Sequence, residues 1–266
     1  MSRSVSNGGL RRSVQIQVRV LSALTLREIL TRYGRHNIGF LWLFVEPMLF
    51  TLGVTTLWTL TGLHRITNLP ITAFALTGYS TVLLWRNMPS RCVGAIQPNS
   101  ALMYHRNVRV MDIFLSRVAL EAIGASMSFV VLSIIFVSLG WMNPPEEPLK
   151  IVQAWLLTAW FGAALAILLG AWSERSEIVE KLWHPAAYLL FPLSGAAYLV
   201  DALPKDAQNA ALWLPMVNGT EMVRDGYFGS SFVAHYSVAY FFTCNMGLTL
   251  LALALERAVS RDFIPE

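Results

Sequence analysis

The residues best suited to chemistry in this sequence are spaced so that they cannot perform it. Lys150, Lys181 and Lys205 follow Leu149, Glu180 and Pro204, whereas a phosphate-binding loop sets Gly before Lys so that backbone amides can wrap the phosphates. No Gly-x-Ser-x-Gly turn offers a nucleophile, and His and Cys never meet at metal-ligand spacing. The chain therefore has no catalytic set, no metal set and no cofactor of its own. If ATP and Mg2+ drive anything here, they sit on a separate ATPase polypeptide.

What remains is a scatter of charged and aromatic residues in apolar surroundings. Glu46 precedes Pro47, and an acid at mid-membrane costs about 3 kcal/mol on insertion scales, so it should bond to a neighbouring helix or face a channel. Trp85 and Arg86 close a charge-free run, and Tyr104-His105-Arg106-Asn107 lies in a basic stretch. Trp213, Pro215, Glu221 and Arg224 fall in a segment broken by Pro and Gly.

The elements that position these residues must be membrane helices. With 55% hydrophobic and 14% charged residues, and a mean hydropathy of +0.51, the chain suits a bilayer better than water. Crossing about 30 Å of hydrocarbon takes roughly 20 helical residues. Stretches 66–85, 122–145, 151–173 and 182–200 contain no Asp, Glu, Lys or Arg; 36–64 contains only Glu46, and 226–255 only His235. The pattern predicts an all-α polytopic membrane protein with spans near 38–63, 66–85, 118–141, 151–173, 182–200 and 233–255. These form a six-helix domain over 37–256, between an N-terminal segment 1–36 and a C-terminal segment 257–266. Residues 1–33 have no uninterrupted apolar core ahead of their arginines, so no cleavable signal is expected.

Basic residues set the orientation. With both termini in the cytoplasm, inside segments carry sixteen of the 20 Lys and Arg residues. That asymmetry accounts for the net charge of +4 without any nucleic-acid partner. Trp42, Trp85, Trp172 and Trp183 then fall at the inner headgroup level, with Trp58 and Trp141 at the outer one. Cys92 is expected in a cytoplasmic loop and Cys244 within the sixth span, too far apart for a disulfide.

Three segments outside the spans have structure of their own. Residues 13–33 read as an amphipathic interface helix that meets lipid, with Leu26, Ile29, Leu30 and Tyr33 on one face and a break near Ala23. Residues 86–117 read as a long basic cytoplasmic loop. Pro98, Asn99 and Ser100 start a short helix in it, lying across the membrane face or held near anionic lipid. Residues 201–231 are too polar to span; a pair of half-helices entering from outside satisfies their backbone, and a surface-lying loop is the alternative.

At these positions the sequence resembles the permease subunits of type 2 ABC exporters, in particular the capsular polysaccharide export permeases of Gram-negative bacteria. The resemblance runs end to end. Leu26-Arg27-Glu28-Ile29-Leu30-Thr31-Arg32-Tyr33-Gly34, then Gly39 to Trp42 and Glu46-Pro47, looks like the family's interface helix running into its first span. Asn99, Leu102, Arg106, Val108, Asp112 and Arg117 are similar in spacing to its coupling-helix region. Trp213, Pro215, Glu221, Arg224, Gly226 and Tyr227 resemble the half-helices between spans five and six. The match departs at Leu214, where the family often carries Asn.

The resemblance implies a homodimer in the inner membrane, bound by two copies of a nucleotide-binding ATPase subunit. It also implies a periplasmic adaptor leading to an outer-membrane exporter, and an acidic glycan cargo on a glycolipid end. Contact with the ATPase would then fall to Tyr104, His105, Arg106, Asn107, Arg109 and Asp112, together with Arg27, Glu28 and Arg32 of the interface helix. Trp85 and Arg86 are the candidate greeting point for the glycan, with Trp42, Trp58 and Tyr79 further along its path. An O-antigen or teichoic-acid permease, a membrane-embedded enzyme of glycan assembly and a non-catalytic anchoring subunit are the competing readings.

Overall fold

The computed structural model describes residues 7–33, 41–61, 69–105 and 108–262. Among them the chain forms ten α-helices and no strand: α1 (Asn7–Tyr33), α2 (Trp42–Thr61), α3 (Ile71–Cys92), α4 (Ser100–His105), α5 (Val110–Ser138), α6 (Pro148–Arg175), α7 (Glu177–Leu193), α8 (Lys205–Leu212), α9 (Pro215–Phe228) and α10 (Val238–Asp262). Three of these, α5, α6 and α10, are long and apolar enough to cross a membrane. At 29, 28 and 25 residues they extend about 38 to 44 Å, against a hydrocarbon core of roughly 30 Å. Helices α2, α3 and α7 overlie the other apolar stretches. Of these, α7 has 17 residues and two internal prolines, and α3 carries Arg86 and Arg91 near its end.

Helix α6 is the hub, packing on α3, α9 and α10. Small residues make that possible. A Cβ on Gly162 would stand 2.9 Å from the Trp85 Cα, and one on Gly170 would stand 2.7 Å from the Phe114 ring and 3.0 Å from the Cys92 carbonyl. In α2, the hydroxyls of Thr51, Thr55 and Thr59 each donate to the carbonyl one turn back, at 3.0, 2.8 and 2.8 Å, so none of these three is left bare.

The structure corrects several boundaries. Helix α3 does not stop at 85 but continues to Cys92, which is buried, so that thiol closes a helix instead of sitting in a loop; both cysteines are free. The basic loop therefore shrinks to 93–109, turned at Gly94 (φ +66°) and holding a 3-10 turn at Gln97–Asn99 before α4. Helix α7 ends at Leu193, not 200, because Pro192 and Gly195 (φ +79°) stop it and turn the chain. Helix α1 runs unbroken through Ala23. Trp85 and Trp183 are buried at 0% and 6% exposure, so neither anchors at a headgroup belt.

Candidate functional site

Helices α1 and α5 face each other with complementary charge. The start of α5 is closed by a reciprocal cap, in which Asp112 Oδ2 accepts the Arg109 backbone N–H at 3.0 Å. Asp112 also accepts a hydrogen bond from Gln17 of α1. Further along, Glu28 meets Arg117 with Oε1 to Nε at 3.4 Å, and one turn beyond, Arg32 meets Glu121. Both pairs have the same offset, so acid then base on α1 stands opposite base then acid on α5.

The ladder extends into the helices behind it. Arg32 reaches Glu46 of α2 at 2.9 Å, and Arg91 of α3 approaches Glu121 at 3.2 Å and Glu46 at 3.7 Å. Arg117 donates to the Arg91 carbonyl at 2.6 Å. Arg27 donates to Asn99 at 2.7 Å, and Asn99 donates to the Ala95 carbonyl at 2.8 Å, which ties α1 to the turn before α4. Glu121 is buried and shared by two guanidinium groups. Taking one partner from such a buried pair costs about 3–5 kcal/mol.

Of the residues singled out for ATPase contact, Arg27, Glu28, Arg32, Arg109 and Asp112 thus join one network. Tyr104 and His105 are the last residues of α4, while Arg106 and Asn107 lie outside the described residues. Glu46 is bonded to two neighbouring helices. The sequence reading passed over Gln17, Arg91 and Glu121. A usable signal was present, since Glu28/Arg32 and Arg117/Glu121 are opposite-charge pairs with the same four-residue step in reversed order. Of the stripe expected to meet lipid, Leu26 and Leu30 are exposed and Ile29 is partly buried. Leu24, Glu28 and Arg32 also turn toward the core.

The aromatic residues proposed along the glycan path are not brought together. Trp85 is sealed beneath Gly162 and packs edge-on to Phe161 at 6.1 Å, so its ring cannot stack on a sugar. Tyr79 is buried against Phe191 at 5.6 Å, and Trp58 leans on Phe74 at 5.8 Å. Trp42 is exposed at the start of α2. Arg86 lines a cavity, with its guanidinium 5.5 Å over the exposed ring of Tyr188.

A family profile for ABC-2 type transporters matches residues 19–228, a span that contains every charged residue of the ladder. The chain belongs to the ABC-2 type transporter family. Its relatives include the capsule polysaccharide export inner-membrane protein BexB of Haemophilus influenzae, 41% identical over 96% of this chain and 97% of the relative. CtrC of Neisseria meningitidis serogroup B, of the same description, is 42% identical over 96% of each chain. The polysialic acid transport protein KpsM of Escherichia coli is 25% identical over 93% of this chain and 96% of its own.

In this ABC-2 transporter chain, segment 201–231 forms helices α8 and α9, and α9 packs against α3, α6 and α10 instead of lying on the surface. Pro215 begins α9, with Leu214 at its cap position making no side-chain bond. Asn218 donates to the carbonyls of Leu212 and Leu214 at 2.9 and 3.3 Å, tying α9 to the end of α8. Arg224, fully buried, donates to the carbonyls of Gly195, Tyr198 and Ala196 at 2.7, 2.8 and 2.7 Å, and lies 3.9 Å over the Phe74 ring. Glu221 is equally buried and accepts the His235 backbone N–H at 3.2 Å. Arg224 holds the turn after α7, Glu221 holds the chain ahead of α10, and neither faces open space. Trp213 is exposed, and its carbonyl accepts the Tyr240 hydroxyl at 2.6 Å.

Proposed function

We propose that this chain is the channel-forming permease of an ATP-driven exporter, carrying a glycolipid-linked acidic capsular polysaccharide across the bacterial inner membrane. The names of its relatives, matched over nearly their full length, favour capsule over O-antigen or teichoic acid as the polymer class. In this reading α2, α3, α5, α6, α7 and α10 are six spans with both termini in the cytoplasm, and two copies of the chain form the conduit. Two copies of a separate ATPase bind its cytoplasmic face, and a periplasmic adaptor continues toward the outer-membrane exporter.

The observation that carries the mechanism is the charged ladder. Closure of the ATPases must reach the spans through stiff contacts, and the ladder joins α1 and the turn before α4 to α2, α3 and α5 at once. Movement of the cytoplasmic elements is thereby imposed on three spans together. Deleting the chain in its host should leave acidic polymer inside the cell and none on the surface, measured by immunolabelling before and after permeabilisation. Surface polymer at the parental level would refute the assignment.

A further inference from the structure

Arg86, near the end of α3, borders a cavity. Between α2, α3 and α7 lies a space of about 260 Å³, lined among others by Glu46, Arg86, Asn87, Arg91, His184 and Tyr188. Arg91 and Glu46 are already engaged with each other and with Glu121 and Arg32. That group of two arginines and two glutamates is neutral. Among the described residues no carboxylate pairs with Arg86, whose guanidinium rests against the Tyr188 ring and bonds the Tyr79 hydroxyl.

Its position makes the excess charge informative. Arg86 lies six residues before the end of α3, about 9 Å along the axis, at a depth where an uncompensated charge is retained for function more often than for packing. Guanidinium is a planar, permanently charged fork that matches carboxylate and phosphate oxygens in pairs. Tyr188 is 72% exposed and offers a ring face beside the fork. His184 and Asn87 supply hydrogen-bonding groups for hydroxyls. A space somewhat below the roughly 300 Å³ of the smallest drug-sized pockets suits one acidic residue of a chain, not a long run of it.

Resting on the exporter reading above, we propose that Arg86, flanked by Tyr188, His184 and Asn87, is an anion station on the cytoplasmic side of the conduit. It takes one carboxylate or phosphate of the exported polymer at a time. A single cation in a shallow site attracts without holding, as conduction of a polyanion requires. This assignment puts Tyr188 and His184 where the sequence had suggested Trp85.

The test uses the complete complex with its ATPase in phosphatidylcholine nanodiscs. Binding is measured for acidic polymer isolated from the host surface and for the same polymer after carboxyl reduction. Arg86→Ala should weaken binding of the native polymer about tenfold or more, while Arg86→Lys, which keeps the charge, should lose only about threefold. If Arg86→Ala does not assemble, Tyr188→Ala at the exposed ring carries the test with a several-fold loss. Weakened binding of the reduced polymer to the unaltered complex identifies the anion as carboxylate. Unchanged binding, with the loss in Arg86→Ala persisting, identifies it as phosphate. Equal affinity of Arg86→Ala and the unaltered complex overturns the proposal. So does a loss in that variant confined to retention of phosphatidylglycerol added to the nanodisc, which would make Arg86 a lipid anchor. An unaltered complex that binds no polymer overturns the exporter reading itself.

Discussion

Reversing Glu28 and Arg117, first singly and then together, tests whether α1 is held to α5 by matched charge. Their atoms lie 3.4 Å apart, with 28% and 16% of the side chains exposed. At an effective dielectric of about 20, unit charges at this distance attract by roughly 5 kcal/mol. Desolvation and side-chain ordering offset most of that, leaving about 1 kcal/mol for a half-buried pair. Glu28→Arg replaces attraction by repulsion of similar size, so it should cost about 2 kcal/mol. Arg117→Glu should cost about 1 kcal/mol more, because it also forfeits the hydrogen bond to the Arg91 carbonyl. The double reversal restores the attraction and should recover about the Glu28→Arg loss, leaving only the second cost. In a chain of this size, 1 kcal/mol moves the melting midpoint by about 2–4 °C. Glu28→Arg should therefore melt about 4–8 °C lower, with surface polymer reduced, and the double variant should exceed both singles in each assay. A double variant worse than either single, with losses that simply add, would refute the reasoning.

Two further outcomes follow from the packing around α9. Arg224→Lys keeps a charge but not the fork that reaches three carbonyls, and should cost about 3 kcal/mol in thermal melts of the purified chain. Melting within a degree of the parent would show that the turn after α7 is held by something else. Gly78→Ala would set a Cβ 2.7 Å from the Ala196 carbonyl oxygen and 2.8 Å from Arg224 Nη2. Since backbone cannot easily retreat, it should cost about 1–3 kcal/mol and lower the yield of folded protein. Normal yield with unchanged melting would contradict that packing.

Much of the fold was legible because the bilayer makes apolar length decisive. Helices α5, α6 and α10 rest on long stretches poor in charge, and nothing in their packing alters that signal. The errors arose where helicity and apolarity part company. Arg86 and Arg91 end an apolar run without ending a helix, so α3 extends past 85. Residues 194–199 stay apolar after Pro192 has stopped α7. In the site, the composition of α1 revealed its charges but not their partners, because the pairing joins residues some ninety positions apart. Trp85 misled for a related reason. Its exposure is decided by Gly162 on another helix, and no local pattern around position 85 records that neighbour.

The alternating order of charge between α1 and α5 has a mechanical consequence. If α1 slid by four residues, about 6 Å, Glu28 would face Glu121, or Arg32 would face Arg117. Either sets like charge against like, so the two helices mesh as a toothed rack, not as a greased rod. A thrust applied along α1 cannot dissipate in slippage and must displace α5 with it.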